Sequence, residues 1–264
     1  MSAAVAGRKP RGSAAGKKKQ GAIAVTGANR GIGAAIALEL ARRGFTVACL
    51  SRAGKGVEEL AVPKRLAGRL LAGRCDVNDE ASVARALRSV ASRAGGLRGV
   101  VNNAGIQLHG ASESFSTGEL EKVLRTNVVG LFVVCREAFP LLQKQGGGLI
   151  VNMGSFFDRL GVPRNLAYSA SKAAVGAITR CLAVEWAPHG ITVLNVAAGY
   201  IETNLNREFL RRKSVRDYLL PRIPVGRPGR PEEVARLVGA LFTEELGFMT
   251  GETIYIDGGQ TIAH

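Results

Sequence analysis

Tyr168 and Lys172 stand four residues apart in the alanine-rich stretch 167–187, which reads as a helix, so both side chains fall on one face, one turn apart. A phenol of ordinary pKa, about 10, is a poor proton carrier near neutrality. An ammonium one turn away favours the phenolate and lowers that pKa, so the pair is set to exchange a proton with a substrate oxygen. Ser155, just past a predicted strand, would hold the same oxygen with its hydroxyl at the carboxyl edge of a sheet, where α/β proteins bind ligands. A tyrosine–lysine spacing or a lone serine carries little by itself. Their company decides.

That company begins at Thr26-Gly27-Ala28-Asn29-Arg30-Gly31-Ile32-Gly33, between a predicted strand and a predicted helix. Glycines in such a turn let the backbone approach a pyrophosphate, while free N–H groups and the helix dipole point at it. Gly27, Arg30, Gly31, Ile32 and Gly33 are therefore expected to bind a dinucleotide. Charge selects which one. An NAD site places a carboxylate at the end of the second strand to accept from the ribose 2′-OH, whereas an NADP site places cations against a 2′-phosphate. Here that strand ends in Ser51 and Arg52 with no acid, and Arg30 lies inside the loop. Two arginines bracketing a phosphate with charge-assisted bonds predict NADP(H).

Short apolar runs alternating with helix-like segments must position these groups, and that alternation predicts an α/β fold, a doubly wound parallel sheet with helices on both faces. Seven strands are read at residues 22–26, 46–51, 69–75, 99–102, 148–153, 192–197 and 253–256. Helix ends are marked by Gly44 after residues 31–43, by Ser116 and Glu119 ahead of residues 120–125, and by Pro231 with Glu232 and Glu233. Pro63 interrupts the segment after the second strand, which predicts a short helix there.

The G-x-x-x-G-x-G loop resembles that of the short-chain dehydrogenase/reductase family. The resemblance runs from about residue 21 to 262, through Asn102-Asn103-Ala104-Gly105, Asn127, Ser155, Tyr168-Ser169-Ala170-Ser171-Lys172 and Gly199-Tyr200-Ile201-Glu202-Thr203. It implies a Rossmann-type fold and a catalytic set of Asn127, Ser155, Tyr168 and Lys172, with Asn127 holding a water that links the lysine to solvent. It also implies adenine contacts from Asp76 and Val77, with Asn102, Asn103, Ala104 and Gly105 passing beneath the adenosine. Lys172 would grip the nicotinamide ribose; Gly199, Ile201 and Thr203 would lie near the carboxamide. The family usually has Pro-Gly where this chain has Ala198-Gly199, and alanine restores backbone freedom there. Family members usually form homotetramers through the helices that hold Asn127 and Tyr168 and through the last strand, so a homotetramer is expected.

Resemblance further implies NADPH-dependent reduction of a carbonyl to a secondary alcohol, similar to 3-oxoacyl-acyl-carrier-protein reductases. Residues 200–223, where the family places its substrate lid, carry Arg207, Arg211, Arg212, Lys213, Arg216 and Arg222 against Glu202, Glu208 and Asp217, a net +3. That charge fits an anionic carrier such as acyl carrier protein or coenzyme A. Gln107, His109, Phe156, Phe157, Tyr200 and Leu205 are pocket candidates, and His109 is given no catalytic role. An alcohol or sugar dehydrogenase working oxidatively is the alternative on the same scaffold.

The 264 residues allow one large domain, taken as residues 21–264 after a basic tail at 1–20 that reads as disordered. Removing the tail's six cations from the net +15 leaves +9, so the body is basic too. Basicity alone would also fit a nucleic-acid binder, but no helix-turn-helix, zinc spacing or aromatic-basic motif accompanies it. Cys49, Cys75, Cys135 and Cys181 match no metal-ligand spacing and read as buried reduced thiols, and no metal is expected. No apolar run reaches a membrane span, and a cytoplasmic protein is expected; the acid-poor tail leaves mitochondrial targeting as the alternative.

Overall fold

The computed structural model describes residues 21–244 and 246–263; the expected basic tail lies outside the described residues. In chain order the elements are β1 (Ala22–Thr26), α1 (Gly31–Arg42), β2 (Thr46–Ser51), α2 (Lys64–Ala67), β3 (Leu70–Arg74), α3 (Glu80–Ala94), β4 (Leu97–Asn102) and α4 (Thr117–Leu124). They continue with α5 (Gly130–Lys144), β5 (Gly148–Ser155), α6 (Leu166–Trp186), β6 (Ile191–Ala198), α7 (Arg207–Arg211), α8 (Lys213–Leu219), α9 (Pro231–Thr243) and β7 (Thr253–Ile256). The strands form one parallel sheet in the order β3-β2-β1-β4-β5-β6-β7, the doubly wound Rossmann-type arrangement expected from the sequence. Strand order reverses between β1 and β4, where connections diverge and leave a crevice at the carboxyl edge.

Side-chain alternation sorts the strands onto two buried faces. Ala22, Ala24, Val100, Ile150 and Val193 pack with Leu87 of α3, Val134 of α5 and Val175 of α6. Ile23, Val25, Val101, Val151 and Leu194 pack with Ile36 and Leu40 of α1 and with Val234 and Val238 of α9. Both faces being covered is why β1 is buried at all five positions and reads as an unbroken apolar run. A fully buried aliphatic side chain such as Ile23, Ile36 or Leu194 contributes about 1.5–3 kcal/mol.

Local chemistry sets the helix ends. Gly44 (φ 95°) and Gly95 (φ 71°) take left-handed conformations just past α1 and α3. The Ser116 hydroxyl accepts from the Glu119 N–H at 3.2 Å, and Glu233 accepts from the Arg230 N–H at 2.8 Å behind Pro231. Arg227 grips the same carboxylate through two nitrogens and helps draw its pKa down to about 2. As expected, the helix after Pro63 is short, four residues.

Differences from the sequence reading are local. β4 begins two residues early because Leu97, wholly buried, pairs with Ala22. β5 runs on to Ser155, which is the strand's last residue and not a loop position. α4 and α5 are joined without a break by a π-helical turn, Arg125–Val129. Cys181 is exposed on the outer side of α6, correcting the expectation of four buried thiols. Among the described residues no helix is long and apolar enough to cross a membrane, and no three His, Cys, Asp or Glu side chains gather as metal ligands.

Candidate active site

The glycine loop is built as a cradle. Gly27 (φ 65°) and Gly31 (φ 54°) adopt left-handed backbone that other residues resist, and a Cβ on Gly33 would strike the Gly27 carbonyl and the Asn103 amide. Asn103 Nδ2 donates to the Thr26 and Gly27 carbonyls at 3.1 Å each, while Thr26 Oγ1 accepts from the Asn103 and Ala104 N–H groups at 3.0 and 3.1 Å. The end of β4 is thereby laced to the end of β1. Arg30, which precedes α1, offers no side-chain cap, and the first turn carries no acid. The first N–H groups of a helix have no intrahelical acceptor, which leaves this helix start open to an anion. The residues present thus fit a dinucleotide pyrophosphate; Arg30, inside the loop, and Arg52, just past β2, are both exposed.

Further along the carboxyl edge, the Asp76 carboxylate accepts from the Asn78 N–H at 3.0 Å, and buried Val77 lies against Gly130 in α5. Asn102 behaves differently from the expectation for its segment. Its Nδ2 donates to Asn152 Oδ1 at 2.9 Å, and Asn152 Nδ2 donates to Thr179 at 2.9 Å, so this side chain braces the core and leaves only backbone for an adenosine. Gly105 abuts Asn127, whose Oδ1 would sit 3.1 Å from an added Cβ.

Asn127 lies in the π-turn, a distortion that recurs at functional sites. Its Nδ2 donates to the Ile106 carbonyl at 2.8 Å and to Ser171 Oγ at 3.0 Å, and its Oδ1 accepts from the Ile106 N–H at 2.8 Å. The Ser171 hydroxyl in turn donates to the Tyr168 carbonyl at 2.7 Å. A strut therefore runs from the loop after β4 through the π-turn to the first turn of α6. In the sequence Ser171 stands only as part of the 168–172 motif and carries no role of its own, although its place three residues after Tyr168 puts it on the same helix face.

Lys172 is buried, and its Nζ donates to the Met153 carbonyl at 2.7 Å while standing 5.4 Å from the centre of the Tyr168 ring. Burial lowers its pKa to about 8. The expected depression of the Tyr168 pKa by this lysine is not found. Burial raises the phenol pKa, and the hydroxyl of Ser155, at the end of β5, pulls the other way. Desolvation of the phenolate outweighs a neighbouring ammonium turned toward a backbone carbonyl. The Phe157 ring meets the Tyr168 ring edge-on at 5.8 Å, and Phe156, Phe157 and Tyr200 stack mutually at 4.7–6.0 Å to make an aromatic wall beside the phenol. Gln107 Nε2 donates to Asn165 at 2.7 Å, whereas His109 and Leu205 stand exposed.

The loop after β6 closes the crevice. A Cβ on Gly199 would collide with Asp257, Ile201 bridges to Gly229, and the Thr203 N–H donates to Asn206 Oδ1 at 2.7 Å. The Thr203 methyl lies 3.6 Å from where a Gly31 Cβ would stand, so this loop touches the glycine loop. Ala198, in place of the family's proline, pairs with Ser155 on one side and Ile256 on the other, and the sheet holds the backbone that proline would have stiffened.

A family model described as enoyl-(acyl carrier protein) reductase matches residues 27–261, and a 3-oxoacyl-acyl-carrier-protein reductase of Pseudomonas aeruginosa is 37% identical over 242 residues, 91% of this chain and 97% of that one. The chain belongs to the short-chain dehydrogenase/reductase family. A glucose 1-dehydrogenase of Gluconobacter oxydans is also 37% identical, over 254 residues, 94% of this chain and 93% of that one. The crystal structure of a gluconate 5-dehydrogenase from Burkholderia cenocepacia, in complex with NADP and tartrate, superposes with a TM-score of 0.86 at 32% identity, covering 92% of this chain and 96% of that one. As a short-chain dehydrogenase/reductase the protein is an oxidoreductase using a nicotinamide cofactor.

Proposed function

We propose that this dehydrogenase/reductase reduces a ketone, a 3-oxoacyl thioester or a related compound, to a secondary alcohol with NADPH. One observation carries the chemistry: Tyr168, Lys172 and Ser155 meet at the carboxyl edge of the sheet, with Lys172 Nζ 5.4 Å from the phenol ring and Ser155 beside its hydroxyl, and the reductive direction is taken from the Pseudomonas relative. A protonated phenol is an acid, and carbonyl reduction needs an acid at the oxygen. Bound NADPH would supply the hydride. Gly27, Gly31, Ile32 and Gly33 would hold its pyrophosphate, Arg30 and Arg52 its 2′-phosphate, Asp76 and Val77 with the backbone of residues 102–105 its adenosine, and Gly199, Ile201 and Thr203 its nicotinamide end. The NADP in the Burkholderia structure supports the cofactor choice.

Tyr168 then gives its proton to the carbonyl oxygen while Ser155 donates a hydrogen bond to the same atom and fixes its position. Lys172, buried against the Met153 carbonyl, steadies the ribose and carries positive charge toward the phenol as it ionises. Both side-chain polar atoms of Asn127 are committed to Ile106 and Ser171, so a relay water at this residue would rest on its backbone carbonyl. Phe156, Phe157 and Tyr200 wall the substrate side. The substrate class rests on the Pseudomonas relative and the cationic lid, and the same reading includes assembly as a homotetramer. A sugar or alcohol dehydrogenase is the second reading, supported by the equally similar Gluconobacter enzyme.

Steady-state assays with NADPH and NADH against 3-oxoacyl thioesters, small ketones and sugars test this. NADPH with the thioester should give the highest kcat/KM, and Tyr168→Phe should lower kcat by about 10²–10⁴ while NADPH still binds. Turnover undiminished in Tyr168→Phe, or a preference for NADH and sugar oxidation, overturns the proposal.

A further inference from the structure

Residues 52–62, between β2 and α2, form neither helix nor strand, and their glutamates reach back to the glycine loop. The Glu58 and Glu59 N–H groups donate to the Asn29 carbonyl at 2.9 and 3.4 Å, and Asn29 Nδ2 donates to Glu58 Oε2 at 3.2 Å. Most telling, the Gly31 N–H, the first of α1, donates to Glu59 Oε2 at 2.9 Å. A carboxylate of the chain itself thus occupies a seat that the helix start offers to phosphate. Glu58 has Lys55 3.9 Å away, whereas Glu59 enters no ion pair among the described residues. Its charge is balanced there by the helix terminus.

Space at this mouth is also short. The cleft bounded by Gly31, Glu59, Thr203, Arg207 and Arg230 holds about 220 Å³. Pockets that take drug-sized ligands hold roughly 300–1,000 Å³, and a dinucleotide is a large member of that class. Moving the stretch at Glu58, Glu59 and Leu60 outward would remove the carboxylate and widen the cleft together.

We infer that Glu59 sets cofactor affinity: its carboxylate competes with the dinucleotide pyrophosphate for the Gly31 N–H, and the nucleotide binds as the stretch carrying Glu58 and Glu59 withdraws, with Arg52, just past β2, staying in place. This rests on the glycine loop being the dinucleotide site. A ligand that must displace a tethered anion binds more weakly by the displaced interaction.

Titration of the full chain with NADPH and with NADH, followed by nicotinamide fluorescence, tests it in the parent, Glu59→Gln and Glu59→Ala. Both variants should bind both nucleotides more tightly, by about threefold to tenfold, the scale of one partly screened charge interaction. The gain should be equal for the two, because they share the pyrophosphate. The alanine variant guards against a glutamine amide that keeps the hydrogen bond. Unchanged or weaker binding in both variants, with a parent that binds, overturns this inference alone. A parent that binds neither nucleotide overturns the dinucleotide reading and this inference with it.

Discussion

Lys172 concentrates the conflict between stability and chemistry in one side chain. Its ammonium is buried with a single backbone carbonyl as partner, and desolvation brings its pKa to about 8 from the ordinary value near 10.5. A lysine whose folded pKa lies below its unfolded one destabilises the fold wherever it is charged. The penalty is full below pH 8, shrinks between pH 8 and about 10.5, and vanishes above. At about 1.4 kcal/mol per pH unit it amounts to roughly 3 kcal/mol at neutrality. Lys172→Met, of similar length and apolar, should therefore melt several degrees above the parent at pH 7 while losing activity, and the gap should close by pH 10.5. Thermal unfolding across that range checks both the sign and the window; a parent more stable than the variant at pH 7 would contradict the burial cost. Tyr168 follows the same logic in the opposite chemical sense, since burial keeps its proton on.

At the scale of elements, the proposed lid, residues 200–223, is where charge is concentrated. Within α7 and α8, Lys213 pairs with Asp217 at 2.6 Å, and Arg207 pairs with Glu202 at 3.1 Å. Arg211, Arg212 and Arg216 are exposed and enter no ion pair among the described residues. Unpaired rim cations steer an anionic partner more than they bind it. Arg211→Glu with Arg212→Glu should raise KM for a carrier-linked thioester roughly tenfold and leave a small ketone's KM where it was; added salt should weaken the parent in the same selective way. Equal effects on both substrates would remove the lid from carrier docking. Elements were legible in the sequence to the extent that their signals are local. Apolar runs such as 22–26 announce strands because both faces are buried, and Ser116, Pro63 and Pro231 mark helix boundaries by their own chemistry. The π-turn at Arg125–Val129 has no local signature, and β4 starts at Leu97 only because a pairing with Ala22 exists. The segment at 52–62 lacks any period, and its decisive bond spans 28 residues. Lys172 and Tyr168 could be placed on one face from spacing alone, but their burial, which reverses the expected shift of the phenol, is a property of the folded surroundings.

At the scale of the molecule, α6 presents an outward stripe that the single chain does not use. Leu166, Ala170, Ala173, Ala177, Cys181 and Val184 recur at helical spacing and are all exposed, with Leu166 and Val184 open to 49% and 78%. Val129 and Phe132, from the π-turn and α5, are exposed as well. Contiguous apolar surface of this kind marks association, and the small residues at 173 and 177 let a second helix approach closely. The exposed Cys181 belongs to the same stripe, which accounts for an apolar thiol on the outside. β7 closes the sheet with every residue only partly buried, leaving an edge of unpaired backbone groups that a second copy would cover. Helix stripe and strand edge are two separate surfaces, and an isologous contact through each would give the proposed four-chain assembly. Light scattering on the parent should return the mass of four chains. Ala177→Arg places a long cation at one of the stripe's small residues and should halve that mass, leaving pairs joined at β7, while a monomer's fold tolerates the change because position 177 is exposed. A parent that runs as a single chain would leave the stripe without a partner of its own kind.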